Sequence, residues 1–364
     1  MTAPAPPSAR LTRGLDRVFR TALFVVPFGV LANLALSWYA TDHAVLATLG
    51  DRPRRWLFVA LALALVPWFT NALRLLLWTR FVGRWLPYRE ALRITLGSDL
   101  AASIVPNSVR EVVRWGMMVQ NGVGKGQAAS IVTLGYLEDA CFFAIAIPTA
   151  VVLSRAWNLP VLQAMGGQLQ GKALPAALLV AGVAAAAWLG ARALLRGGLG
   201  ARARRRGLRA AARTRRRFRR SWREYRGVLR LVRQRGKARF ALTFAITAVQ
   251  WSCRYSVLTA LALFLGVRAD PVLFFLLQWV IFTTMLFVPT PGASGGAEAA
   301  FMLVYSALLP AGLIGIATAG WRMLTFYVLL ALGAVLFAGL NLAAVRGRRA
   351  AGDPAGGSVR EAAA

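Results

Sequence analysis

Residues 56–78, WLFVALALALVPWFTNALRLLLW, carry one charged side chain, Arg74. About 20 such residues in a helix cover the ~30 Å hydrocarbon core of a bilayer. Comparable apolar runs recur at 21–41, 127–153, 173–191, 240–265, 271–288, 298–313 and 317–341. A soluble domain would have to bury many helices that are apolar all round, which ordinary globular domains do not do. With 58% hydrophobic residues, the chain is expected to be all-α, a polytopic transmembrane helical bundle.

The formal net charge of +31 is concentrated rather than spread. Between Arg192 and Arg239 lie RARRR (202–206) and RTRRRFRR (213–220), with Glu224 the single acid. Basic loops are retained on the cytoplasmic side and attract anionic lipid. No recognition module accompanies the arginines, so nucleic acid is not expected as a partner. Placing the N-terminus inside puts the loops at 79–93 and 192–239 and the tail at 342–364 on the same side, and all of them are basic. The expected organisation is a disordered cytoplasmic tail (1–20), a membrane domain (21–341) and a cytoplasmic C-terminal tail (342–364). Arg10, Arg13, Arg17 and Arg20 ahead of the run from Thr21 to Ala40 read as a signal anchor, because the run is too long for a cleaved signal. The expected location is a bacterial cytoplasmic membrane with both termini inside.

Two segments break the apolar pattern. GSDLAASIVP (97–106) is too short to cross, and FVPTPGASGGAEAAF (287–301) places Pro289, Pro291, Gly292, Gly295, Gly296 and Glu298 inside an apolar region. Proline removes a backbone donor and glycine admits left-handed torsions, so neither stretch continues a helix. Non-helical backbone at membrane depth is tolerated where it is buried in protein or lines a watery cavity. Re-entrant or broken helices are therefore expected near 97–110 and 289–298. Each break follows Val-Pro and precedes a carboxylate, Glu111 or Glu298, a pattern consistent with the internal repeats of transporters. Glu298 in the first turn of a new helix has a bland reading, a helix cap, and a functional one, a contact to a polar headgroup.

Helical phase gathers further polar groups. At 100° per residue, Thr243, Thr247, Gln250 and Arg254 fall within a ~60° stripe, and Gln127, Ser130, Glu138 and Cys141 within ~80°, with Asp139 one step round. Thr318, Arg322 and Thr325 share a face in the last span, where Arg322 is placed to neutralise Glu298 or Glu138. Charges at membrane depth face the bundle interior and mark pathways. Arg254 has snorkelling as its bland alternative. Arg74, a turn from Trp78, reads as a snorkelling anchor.

Enzyme chemistry finds little material. His43 is the sole histidine and Cys141 and Cys253 the only cysteines, so neither a metal site nor a histidine base is expected, and no cofactor. GVGKGQ (122–127) lacks the first glycine and the Ser/Thr of a phosphate-binding loop.

VPTPGASGGAE (288–298) resembles the signature near the C-terminal end of the membrane domain of the lysylphosphatidylglycerol synthase family, the flippase-like integral membrane proteins. VPNSVREVVR (105–114) is similar to that family's first block and YLEDACFF (136–143) to its acidic helix. The resemblance covers roughly 20–341. It matches Pro106, Glu111 and Arg114 to the first block, Glu138 to the acidic helix, and Pro289, Pro291, Gly292, Gly296 and Glu298 to the last. Ala293 and Ser294 replace part of the glycine run, Asn107 to Val109 lack a glycine, and Asp139 stands where arginine is common. Aminoacyl-transferring members add a soluble domain after the membrane region; here the sequence given ends at Ala364, and transferase activity is not expected.

Together these features lead to an expected transport function. The chain would move or present a polar-headgroup lipid between leaflets, with Glu138, Glu298, Arg254 and Arg322 lining a cavity, Asp139 and Gln250 beside them, and the two breaks as its walls. The alternative is a non-catalytic membrane partner of a lipid or glycan synthesis enzyme, docked through the arginine-rich loop.

Overall fold

The computed structural model describes residues 49–104, 109–155, 221–285, 291–293 and 295–350, together with Leu31 and Ala35. The expected spans at 21–41 (apart from Leu31 and Ala35) and 173–191, most of the arginine-rich loop, Pro106 and Pro289 lie outside them. All regular structure among the described residues is helical. The principal helices are α1 (Arg55–Phe81), α2 (Tyr88–Ile104), α3 (Val109–Gln120), α4 (Lys125–Ser154), α5 (Lys237–Phe264), α6 (Pro271–Met285), α7 (Gly296–Tyr305), α8 (Ile314–Arg322) and α9 (Val328–Ala350).

Among the described residues, three helices are long and apolar enough to cross a membrane: α1, α4 and the composite Ile314–Ala343 formed by α8, a π-turn at Met323–Tyr327 and the start of α9. The 28-residue α5 is as long as these but carries a polar stripe, and it packs along α1 more extensively than any other pair of helices. Gln127 Nε2 donates to Val82 O (3.4 Å) and Arg239 Nη1 to Leu77 O (3.0 Å), so the end of α1 meets the starts of α4 and α5. This end, which also holds Arg80 and Arg84, is the basic end. At the opposite end Arg52, ahead of α1, rests on Gly266, after α5.

The shorter helices form two hairpins. α2 and α3 pack on each other and leave α1 and rejoin α4 at the basic end. Arg93 donates to Asn341 (3.1 Å) near that end, while Leu100 lies against Gly333, so α2 descends antiparallel to α9. The expected loop at 79–93 is thus partly helical, and the re-entrant piece is larger than 97–110: α2 starts at Tyr88, its Arg89, Glu90 and Arg93 lying in its first two turns.

α6 and α7 enter from the opposite end. Tyr305 Oη donates to Phe274 O (3.2 Å), which sets the end of α7 beside the start of α6. Fifteen and ten residues extend only about 22 and 15 Å, short of a ~30 Å crossing. The expected spans 271–288 and 298–313 are therefore two arms of a re-entrant hairpin. Sidedness is unchanged, because a hairpin and a pair of spans both return the chain to the side it left.

The apolar core holds these arms. Phe301, Tyr305, Trp321 and Ile281 are completely buried and knit α6 and α7 to α8 and to Leu258 and Leu261 of α5. A second cluster around Ile94, Met118 and Leu134 fixes α2 and α3 against α1 and α4. The turn Pro291–Ala293 packs on α2, bringing the inner ends of the two hairpins together.

Candidate functional site

At the second break the backbone is left-handed at Gly292 (φ 60°), Ala293 (φ 55°) and Gly295 (φ 84°). For Ala293 this is an uncommon and costly conformation, of the kind held only when its surroundings enforce it. A Cβ on Gly292 would also run into the Phe326 ring. Pro291 opens this turn and Gly296 begins α7. Glu298 does cap the new helix: it accepts from the Gly295 amide (2.7 Å), in the manner of a capping box. It is also paired with Arg322, whose Nε reaches Glu298 Oε1 at 2.7 Å and whose Nη2 donates to Gly292 O at 3.1 Å. Both side chains are buried. The pairing expected for Arg322 is thus made with Glu298, and it ties the broken turn to the composite helix just before its π-turn. Such π-turns often accompany functional sites.

A second network surrounds Glu138. Arg74 Nε and Nη2 approach Glu138 Oε2 at 2.9 and 2.7 Å, and Arg74 Nη1 approaches Asp139 Oδ1 at 3.2 Å. Trp78 Nε1 (2.8 Å) and Thr243 Oγ1 (2.5 Å) donate to Glu138 Oε1, while Thr247 adds a long bond to Oε2 and Gln250 accepts from Arg74 (3.4 Å). Glu138 is fully buried, with four side chains serving its two oxygens. This corrects two expectations. Arg74 is a buried partner rather than a snorkelling anchor, and Glu138 lies behind the cavity wall instead of lining it. The stripe of α5 does face the interior, with Thr243 on Glu138, Thr247 held chiefly by its own helix at Thr243 O (2.9 Å), and Gln250 accepting from Arg74 and Thr70.

Between the networks and the hairpin ends lies a cavity of about 430 Å³. Of the charged residues expected at the site, Glu111, Asp139, Arg254 and Arg322 line it, and Gly292 contributes to its wall. Glu298, like Glu138, sits behind the wall, held by Arg322. Asp139 is at the middle of α4, so the cavity lies midway along that helix. Asp99 and Arg110, from the two arms of the first hairpin, complete the ionic lining and face each other at 3.4 Å. Glu111 pairs with Arg114 (3.1 Å), which faces a small adjoining pocket that also touches Arg74 and Trp78. Trp251 Nε1 donates to Asp139 Oδ1 (3.0 Å). Arg254 is different. Among the described residues it has no hydrogen-bond or ion-pair partner, its Nε is buried without an acceptor, and its guanidinium lies 5.0 Å from the Phe282 ring centre.

Helical phase alone does not single out Asp99, Arg110 or Trp251; the signal the sequence offers is Asp99, a carboxylate within an apolar stretch too short to cross. Among the described residues no group of three His, Cys, Asp or Glu side chains is placed to hold a metal ion.

The pattern that defines the lysylphosphatidylglycerol synthase TM region matches residues 17–333. The chain belongs to this family. It is also similar to an Archaeoglobus fulgidus protein described as a UPF0104 membrane protein, with 24% identity over 282 residues, 77% of this chain and 84% of that one. The described parts of the blocks that carry the resemblance, 109–114, 136–143, 291–293 and 295–298, fall in the hairpin ends and in α4, around the cavity. It is an integral membrane protein.

Proposed function

We propose that this protein translocates, or presents for translocation, a lipid with a polar headgroup. The headgroup passes through the central cavity while the acyl chains stay in lipid. What supports this reading above all is the meeting of two re-entrant hairpins, one from each end of the bundle, around an ion-lined space midway along α4. Burying ionic groups and unwound backbone in hydrocarbon is costly, and a bundle that only had to anchor itself would have no use for them. Alternating access in such architectures needs only small movements of one hairpin against the other. The family's name points to lipid as the cargo, and the basic end, by the charge rule, faces the cytoplasm. The protein acts as a transporter and not as an enzyme.

The test is reconstitution of the purified protein in vesicles carrying a headgroup-labelled phospholipid, with an impermeant quencher reporting which leaflet holds the label. The protein is expected to speed equilibration between leaflets, and Glu298→Gln to slow it. No acceleration over protein-free vesicles would refute translocation. If deletion of 202–220 then abolished association with a cytoplasmic lipid-synthesis enzyme, the scaffold reading would take its place.

A further inference from the structure

Among the described residues, all but one of the charges in and around the cavity have a partner. Asp99 has Arg110, Glu111 has Arg114, Glu138 and Asp139 share Arg74, and Arg322 has Glu298. Arg254 is the one guanidinium among them with no carboxylate against it. It lines the same cavity as Asp99 and Arg110, which face each other at 3.4 Å. Its Nε is shut off from solvent without an acceptor, and the rest of the half-buried guanidinium opens into the cavity, where no protein group receives it. Its Cζ lies 5.0 Å from the Phe282 ring centre and 5.9 Å from that of Trp251. That contact leaves its donors unused.

We infer that Arg254 is the receptor for an oxyanion of the transported molecule, specifically the phosphate of a lipid headgroup, with Arg110 as a second cationic contact. This rests on the translocation reading and names the substrate class. A planar, fixed-charge fork pairs with phosphate oxygens through two parallel bonds, which an ammonium cannot do. Phosphate is favoured over a neutral polar headgroup because the Arg254 donors have no acceptor in the protein, and hydrogen bonds from a guanidinium to a charged oxyanion are about twice as strong as those between neutral groups. The aromatic side chains around it, among them Trp68, Trp279 and Phe326, suit the glycerol and upper acyl region next to that phosphate.

The experiment is titration calorimetry on the full chain in neutral detergent with three probes: dihexanoylphosphatidylglycerol, dihexanoylglycerol and inorganic phosphate. Saturable binding of the phospholipid is expected, with none by the neutral diacylglycerol. Arg254→Gln is expected to weaken phospholipid binding by about tenfold or more, and Arg254→Lys by less, with unchanged melting temperatures. Equal binding of the neutral and phosphate lipids, or full affinity in a stably folded Arg254→Gln variant, would overturn the assignment of Arg254 without touching translocation. Inorganic phosphate binding as tightly as the phospholipid, and lost in Arg254→Gln, would keep the oxyanion site but overturn the lipid as its source. If Arg254→Gln fails to fold, Arg254→Lys carries the test, since it keeps the charge and removes the fork.

Discussion

Two stretches of one helix face treat buried polarity in opposite ways. On α5, Thr243, Thr247 and Gln250 face the Glu138–Arg74 network, where every charged atom has a partner. One turn further, Arg254 on the same face opens into the cavity without one. The difference separates charges that hold the fold from charges that wait for a ligand. The first kind should be expensive to remove and the second cheap, while the effects on transport should run the other way.

The largest stability loss is expected for Glu138→Ala. It strands Arg74 in the interior and takes acceptors from Trp78 and Thr243, so a cost of about 3–5 kcal/mol is expected, seen as a drop in melting temperature in detergent. A loss under about 1 kcal/mol would show that water reaches the network and erase the contrast. Gly292→Val comes next. It forces a β-branched residue to φ 60° against the Phe326 ring, with an expected cost of about 1–3 kcal/mol and impaired leaflet equilibration. Thr243→Val should cost about 1–3 kcal/mol as well, toward the lower end, because Glu138 keeps Arg74 and Trp78. Arg254→Leu should change the melting temperature least of all, or raise it, because no hydrogen bond or ion pair among the described residues is lost and leucine still packs on the Phe282 and Trp251 rings. It should nevertheless abolish transport. A large destabilisation by Arg254→Leu would mean that its role is structural.

Much of this contrast could be read from the chain. The Pro-Gly break at 289–297, the stripe on α5 and the pairing of Arg322 with Glu298 follow from backbone chemistry and helical phase, which are local. Arg74 was misjudged because its position beside Trp78, near the end of an apolar run, is also that of an interface anchor. Its partner is 64 residues away on α4, and only packing reveals it. The second hairpin was hidden for a different reason. Hydropathy detects apolar residues but not depth, and two short helices that turn back inside the bilayer have the same composition as two that cross it. The first hairpin was underestimated because Arg89, Glu90 and Arg93 made the start of α2 look like loop. On the helix Arg93 pairs with Glu90 (2.6 Å) and bonds Asn341 on α9.

The central claim is that water and a polar headgroup reach the space between the two hairpin ends. In a background with Cys141 and Cys253 replaced by alanine, Ser103→Cys and Thr325→Cys place thiols on the cavity wall, and Ala60→Cys places one in the dry core between α1 and α5. The rate of reaction with a small, membrane-impermeant thiol reagent is the measurement. The account predicts that the two cavity thiols react readily and that phospholipid slows them, while the thiol at position 60 stays inert. Equal inertness at all three positions would mean that the cavity is closed to water, and the proposed path would not exist.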